Sequence, residues 1–342
     1  MKRIRICLLA GFFLPVVAKA QFDITPAKWY PAIKYSALYV AMGDTVKPHS
    51  KQVMDIIRQN WKLCPVFFYS GKNNPELKVP GNLFLDISSY TRTTQYIREN
   101  FGTPGFSKGT TSHNDYYYFS FEAASGSSGK SELGSLVRAE LYLKTITYGS
   151  QDALEDAFKK ELKKTGIKRT KEYSFEITDP DLKYVYLNAT PGNIKNMIQY
   201  VSSQLAAGST SKLLDEMNAS GEIAKLKQDT LFVANYWYGE DGLPMESLEH
   251  DSKSYKITVK YVEDMIAAYP YKIKLIGREE LNNKILKAGK DFYYYSYIQS
   301  SANKIVSVIN GYTGNVVYKE VTKLKYRPTE KDFEKLGEAV GK

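Results

Sequence analysis

The hydrophobic pattern is most regular between residues 229 and 322, where short stretches with strand and helical periodicity follow one another. Strand patterns occur at 230–238, 272–276, 291–298, 304–309 and 315–321, and helical patterns occur at 259–269 and 279–286. Gly311–Gly314 supplies the turn between the last two strands, as a hairpin requires. The pattern therefore predicts the order strand, helix, strand, helix, strand and hairpin.

Much of this order recurs earlier in the chain. Val53, Asp55 and Ile57 match Val262, Asp264 and Ile266 at an offset of 209, and the same offset places Asn82 on Asp291. A competing alignment places residues 115–121 on residues 291–297, which are similar at every position. We prefer the first alignment because it preserves the order of the predicted elements. It assigns 115–123 and 136–145 as the hairpin of the first unit.

The sequence thus predicts an α+β protein with two similar strand-helix-strand-strand-hairpin units and a mainly helical connector. The predicted segments are a signal peptide at 1–20, the first unit at 21–149, the connector with short strands at 150–228, the second unit at 229–322 and a charged C-terminal tail at 323–342. Within the connector, 151–165 and 192–206 have helical patterns. The tail contains a short charged helix, 330–339, which we expect to lie on the surface.

The first twenty residues have the pattern of a secretory leader. Basic residues at positions 2, 3 and 5 precede the apolar run 6–17, and Ala18 and Ala20 are the small residues that cleavage before Gln21 requires. The apolar run is too short to span a bilayer, and no later run approaches that length. We therefore expect an exported chain, in the periplasm, the envelope or the extracellular space, with no transmembrane segment after cleavage.

Composition narrows the functional classes. The chain has 342 residues, 43% of them hydrophobic and 25% charged, which is typical of a globular protein. Loss of the leader removes four basic residues and lowers the formal net charge from +10 to +6. The basic residues are spread along the chain, whereas a nucleic-acid surface needs a concentrated stripe, so we expect no nucleic-acid partner. Cys64 alone remains after cleavage, so an internal disulfide is excluded, and we expect a buried, inert thiol.

Catalytic motifs are sparse. Residues 124–131 fit a relaxed phosphate-loop pattern, but that mechanism needs a helix directly after the loop, and the pattern of 132–144 is mixed. We favour a flexible hairpin loop there. His49, His113 and His250 have no spacing that would place two of them on one helix face for a metal. The sequence therefore predicts no cofactor and gives no catalytic set.

Two groups of residues are candidate binding surfaces. Glu246, Glu249, His250 and Asp251 form an acidic group that could bind a hard cation or serve in acid–base chemistry, or could simply be a solvated loop. The tyrosine-rich strands place aromatic side chains on both faces, so Tyr117, Tyr118, Tyr293 and Tyr294 could form a surface for sugars or a protein partner. The alternative, which we favour, is a sheet that helices cover on both sides.

The second unit resembles the small α+β domains of the bacterial envelope, which include the curli-secretion lipoprotein family and the N-terminal domain of the translocation protein TolB. The residues that carry this resemblance are Tyr271–Arg278, Leu281–Leu286, the strand 291–298 and the hairpin residues 312–317. It covers about a quarter of the chain. The chain departs from these families because it has no lipid-attachment cysteine, no evident membrane-inserting hairpin and no propeller repeats. The resemblance implies a scaffold or assembly role in the envelope without catalysis.

The expectation from the sequence is thus an exported, non-enzymatic protein of the periplasm or envelope that binds another macromolecule, namely a protein or an envelope component. The alternative is a secreted enzyme, or a carbohydrate- or metal-binding protein. It would use either the long polar insertion at 88–114 or the acidic loop at 240–251, because loops of such length are often functional.

Overall fold

The computed structural model describes the chain in thirteen stretches. They are residues 22–24, 36–42, 48–69, 79, 81–97, 109–124, 133–148, 190–209, 216–218, 220–234, 259–300, 303–323 and 328–342. The predicted signal peptide, the predicted helix 151–165 and the acidic loop 240–251 lie outside these residues. Helices and mixed sheets are both present, so the predicted α+β class is confirmed.

The first sheet has six strands and one crossover helix among the described residues. In chain order these are β1 (Phe22–Ile24), β2 (Ala37–Ala41), α1 (Pro48–Asn60), β3 (Val66–Tyr69), β4 (Asn82–Ile97), β5 (Gly109–Ala124) and β6 (Leu133–Tyr148). The strand order is β1-β6-β5-β4-β2-β3, in which β2 is parallel to β3 and β4 and the other pairs are antiparallel. Leu38, Leu85 and Phe121 share one buried face because they are linked through the register of neighbouring strands.

The hairpin of the first sheet is longer than the sequence predicts. β4 continues to Ile97 and β5 begins at Gly109, and the two strands stay paired from Leu83↔Ala123 to Ile97↔Gly109. Most of the predicted insertion 88–114 is therefore strand, and only residues 98–108 of it fall outside the described residues. The error has a physical reason. Thr and Tyr are frequent in 88–97 and favour extended backbone even where the hydrophobic alternation is weak.

The second sheet is preceded by a helical segment. The elements are α2 (Pro191–Ala206), β7 (Met217–Asn218), the short helix α3 (Ser220–Ile223), a single 3-10 turn (Ala224–Lys227), β8 (Leu231–Ala234), α4 (Val259–Ala267), β9 (Ile273–Ile276), α5 (Arg278–Leu286), β10 (Tyr293–Ser300), β11 (Asn303–Asn310), β12 (Val316–Lys323) and α6 (Glu330–Gly341). The strand order is β7-β12-β11-β10-β8-β9. β8 is parallel to β9 and β10, and the remaining pairs are antiparallel.

The two sheets have the same strand order and the same directions of pairing. In each, a parallel trio lies at one edge, a hairpin follows it, and a short strand closes the opposite edge. β4 therefore corresponds to β10, and the hairpin β5–β6 corresponds to β11–β12, as the first of the two sequence alignments requires. Equal order does not by itself show that the two sequences are related, so the internal repeat stays a prediction.

Helix α2 lies between the two sheets. Thr190 caps it by accepting a hydrogen bond from the Asn193 N–H at 3.2 Å, and Pro191 occupies the first turn, where its missing N–H costs nothing. α2 packs against α1 of the first unit and against α5 of the second. Residues around most of its circumference are buried, with the polar Asn196 and Ser202 and Gly192 beside an apolar side that consists of Ile194, Met197, Ile198, Tyr200, Val201 and Leu205. The predicted connector is thus a central helix of the fold.

Most of the buried apolar residues of both sheets belong to one continuous cluster. The apolar periodicity of 53–57, 262–266 and 272–276 predicts core positions for Val53, Ile57, Val262, Ile266 and Leu275, and of these Val53, Ile57 and Val262 are buried. Ile266 and Leu275, which we expected in the core, are only partly buried, and Met265 fills the interior position on α4 instead. Neighbouring helical positions differ by 100° around the axis, so an error of one residue selects the wrong side chain.

The C-terminal helix α6 is part of the second sheet's core and is not a surface tail. Phe333, Leu336 and Val340 are buried, and the Phe333 ring stacks on Tyr295 of β10 with 4.8 Å between ring centroids. The Lys304 ammonium donates to both carboxylate oxygens of Asp332 at 2.6 Å, and both side chains are almost completely buried. α6, which lies beyond the predicted end of the second unit at residue 322, thus covers one face of this sheet.

Within the described residues, none of the helices combines the length and the apolar character that crossing a bilayer requires.

The continuous core predicts that the two sheets unfold together. Ile57→Ala and Met265→Ala each remove a fully buried side chain and should cost about 2–5 kcal/mol of unfolding free energy. Lys331→Ala on the exposed side of α6 is the control and should change stability by no more than about 0.5 kcal/mol. Calorimetry of each variant should show one shifted transition. Two separate unfolding transitions, with each variant shifting only one of them, would contradict a shared core.

The ion pair between Lys304 and Asp332 should stabilise the fold only as an intact pair. Asp332→Ala leaves a buried ammonium without its counter-charge and should cost about 3–5 kcal/mol. Replacing both partners, by Lys304→Met with Asp332→Leu, should cost less than Asp332→Ala alone, since no buried charge remains. Urea unfolding measures both effects. A double variant less stable than the single variant would show that the charges themselves stabilise α6.

Candidate functional site

A groove borders the edge of the second sheet, and the connections between the strands create it. β9 and β10 flank β8, and α5 joins β9 to β10, so α5 must cross over β8. The space between α5, the edge strand β9 and the residues that lead into β10 is about 630 Å3. Six of the residues that line it carry its chemistry, namely Phe232, Lys274, Lys284, Lys287, Lys290 and Phe292.

The floor of the groove is aromatic. Phe232 of β8 and Phe292 meet edge to face, with 5.9 Å between their ring centroids. The Lys284 ammonium lies above both rings, at 4.3 Å from the centroid of Phe232 and 4.9 Å from that of Phe292. The cation–π contacts hold this ammonium at a fixed place over the floor while leaving its charge unneutralised.

The carboxylates near the groove are already paired. Glu280 lies 3.6 Å from the Lys274 ammonium, and Asp291 lies 3.2 Å from the Lys225 ammonium. A hydrogen bond with Asn310, together with the Lys225 charge, holds the pKa of Asp291 below its usual range. Within the described part of the chain, Lys284, Lys287 and Lys290 have no carboxylate at ion-pair distance. The groove therefore carries a net positive charge.

Part of this charge serves the fold itself. Lys284 and Lys287 lie at the C-terminal end of α5, where cations are favoured by the helix dipole. Lys290 lies beyond the helix, and Lys274 lies on the edge strand, where the helix dipole gives no reason for a cation. The chemistry of the groove is that of binding an anion next to an apolar group, and it includes no acid–base or nucleophilic set.

The first sheet has an aromatic row at the corresponding place. Phe67 of β3 lies opposite Tyr39 of β2, which lies opposite Phe84 of β4, and the rings stack at 5.4 and 5.7 Å. In the second sheet the same row is Lys274, Phe232 and Tyr294. The lysine on the edge strand is thus a difference between two otherwise similar sheets.

The tyrosines of the predicted binding surface fall in two groups. Tyr293 and Tyr294 are buried, on opposite faces of β10, and the Tyr294 hydroxyl donates to Asn196 of α2 at 3.2 Å. They offer no surface to a partner, because helices cover the sheet on both sides, which is the alternative that we favoured. Tyr117 and Tyr118 lie on β5 opposite Ser89 and Ser88, and their side chains lie outside the described residues.

The other predicted sites are separate from the groove. Glu246, Glu249, His250 and Asp251 lie outside the described residues. The relaxed phosphate-loop pattern at 124–131 is followed by strand β6 and not by a helix, so the geometry of a nucleotide-binding loop is excluded. No group of three or more potential metal ligands occurs in the described parts of the chain.

Comparison with known protein families and with curated proteins finds no match for this chain.

Our sequence interpretation missed the groove although its signal was present. Six basic residues, Lys272, Lys274, Arg278, Lys284, Lys287 and Lys290, fall within one short stretch. Over the whole chain the basic residues are dispersed, so this local cluster does not stand out in the overall composition. The aromatic floor could not be inferred, because it depends on α5 crossing β8.

Cys64 is half-buried and not fully buried as the sequence suggested. Desolvation raises the pKa of its thiol, and this effect exceeds the opposing one of the Trp61 indole N–H, which donates to Sγ at 3.4 Å. Less thiolate is therefore present at neutral pH than for a free cysteine.

We predict that Cys64 reacts slowly with iodoacetamide in the native protein and at the rate of a free cysteine after unfolding in urea. The rate should rise with pH, since more thiolate forms as the pH approaches the raised pKa. Mass spectrometry of timed samples measures it, with Cys64→Ser as the unlabelled control. Equal rates in the native and unfolded states would contradict the protected thiol.

Proposed function

We propose that this chain is an exported, non-enzymatic protein that binds another macromolecule in the periplasm, envelope or extracellular space, through the groove beside β9. The observation that carries the proposal is the combination of unneutralised lysines with an aromatic floor at the edge of a sheet. Such a surface can contact a partner's apolar groups and its negative charges at once, which is the usual composition of a recognition site.

The rest of the second unit favours binding over catalysis. Charges of α6 pair with charges of the sheet, the buried Asp332 with the buried Lys304 and the exposed Lys335 with the buried Glu320, so they are occupied in holding the helix. The rings of β10 are likewise occupied in the core. Among the described residues of this unit, the groove brings exposed ammonium groups and aromatic rings together.

The proposed role agrees with the resemblance to small envelope domains. The elements from β8 to β12 follow the order on which that resemblance rests, namely strand, helix, strand, helix, strand and hairpin. Membership of those families, and with it an assembly role in the envelope, remains part of the proposal.

Site-specific crosslinking in the cells that make the protein tests this function. A photoreactive benzophenone amino acid in place of the exposed Lys287 should crosslink to one defined macromolecule. The matched control carries the same group in place of Lys331, on the opposite face of the sheet, and should give no such product. Equal products at both positions, or none at Lys287, would show that the groove is not the binding site.

A further inference from the structure

Strand β9 has one side of its backbone without a partner among the described residues. Leu231 donates to the Lys272 carbonyl at 2.9 Å, which fixes the direction of the ladder between β8 and β9. The N–H and C=O groups of one residue point to the same side of a strand, and the side alternates from each residue to the next. Since the Lys272 carbonyl faces β8, the N–H and C=O of Lys274 face β8 as well. Those of Ile273 and Leu275 therefore point away from the sheet. This is the arrangement to which an extended peptide can add.

The two faces of this edge differ in chemistry. Lys274 belongs to the face that carries the groove, because it lies opposite Phe232 in the register of the two strands. Ile273 and Leu275 belong to the opposite face and are partly buried against the core. A strand added here would thus meet ammonium groups on one face and aliphatic side chains on the other.

The lysine on this edge strand also determines which kind of strand can pair with it. Two copies of β9 placed side by side would bring Lys274 near the lysines of the other copy, and facing like charges destabilise a strand pair. An acidic strand can compete with Glu280 for the exposed Lys274 ammonium, and it gains further from Lys284, Lys287 and Lys290, which have no carboxylate at ion-pair distance among the described residues. The edge strand of the first sheet, with Phe67 in the position of Lys274, offers no such charge.

We propose that β9 binds an extended acidic segment of a partner protein as an additional strand of the second sheet. Carboxylates at alternate positions of that segment face Lys274 and, further into the groove, Lys284. The apolar side chains between them meet Ile273 and Leu275. The inference rests on the proposed function, because it names the chemistry of the partner that the groove recognises.

The probe is a synthetic peptide of six residues that alternates Glu and Val, with blocked ends and a fluorophore. Fluorescence anisotropy with the full mature chain should show binding that weakens as salt is added. A peptide with Lys in place of Glu should not bind. A Glu–Val peptide that is N-methylated at alternate residues should also lose binding, because it cannot donate the hydrogen bonds of a strand.

Variants of the protein separate the charge from the fold. Lys274→Glu should weaken binding of the Glu–Val peptide by roughly tenfold or more, and Lys274→Gln should weaken it less. The Lys274 side chain is 59% exposed, so neither change disturbs the core. Lys331→Glu, which makes the same charge change on α6, should leave the affinity unchanged.

Three results would overturn the inference. One is the absence of binding by the Glu–Val peptide at low salt. Another is binding of the N-methylated peptide with the same affinity as the unmodified Glu–Val peptide, which would show that charge attraction alone accounts for the binding. The third is displacement of the peptide by phosphatidylglycerol vesicles at lower concentration than by unlabelled peptide, which would indicate a membrane surface. If crosslinking at Lys287 still captures one macromolecule, the proposed function stands and only the acidic strand is wrong.

Discussion

The burial of helix α2 is the constraint on which the rest of the structure depends. A helix that is buried around most of its circumference needs other elements to enclose it, and α2 packs against α1 of the first unit and α5 of the second. Its polar groups must then find partners inside the protein. The Asn196 side chain donates to the Gly311 carbonyl at 3.1 Å, and the Gly192 N–H donates to Asn282 of α5 at 2.8 Å. Each of these bonds fixes a different element of the second unit against the same helix.

The turn between β11 and β12 approaches the backbone of α2 so closely that it requires a glycine. Gly314, in the turn of the hairpin β11–β12, has a φ of 78°, and a Cβ at this position would lie 2.3 Å from the Asn196 carbonyl oxygen. Only glycine satisfies both the left-handed backbone and the short contact. The turn that the sequence identifies by its two glycines is therefore also a packing surface for the central helix.

Enclosure of the second sheet determines where recognition can occur. α2 and α5 lie on one of its faces, and α6 on the other holds the buried pair of Lys304 and Asp332. Aromatic side chains that suggest a binding surface in the sequence are buried by this packing, as Tyr293 and Tyr294 show. Among the described residues, the edge at β9 and the groove that α5 leaves when it crosses β8 stay accessible.

Periodicity alone predicts the central helix and several elements of the second unit. The helix at 192–206 and the hairpin of the second unit agree with the structure to within one or two residues. The charged residues of the tail favour a surface position for the helix at 330–339. Phe333, Leu336 and Val340 nevertheless have the spacing of a buried helix face. The groove, in contrast, depends on the tertiary arrangement of the elements. Lys274, Lys284 and Phe232 come together only through the crossover of α5, so no local pattern contains it.

Native-state hydrogen exchange tests the central position of α2 most directly. The amides of Ile198 and Val201 should open with the same free energy and the same urea dependence as those of Val40 in β2 and Tyr295 in β10, because enclosure by both sheets leaves no smaller unit that can release the helix. If α2 instead opens together with one sheet while the amides of the other keep a higher free energy of opening, the two units have separate cores and α2 belongs to one of them alone.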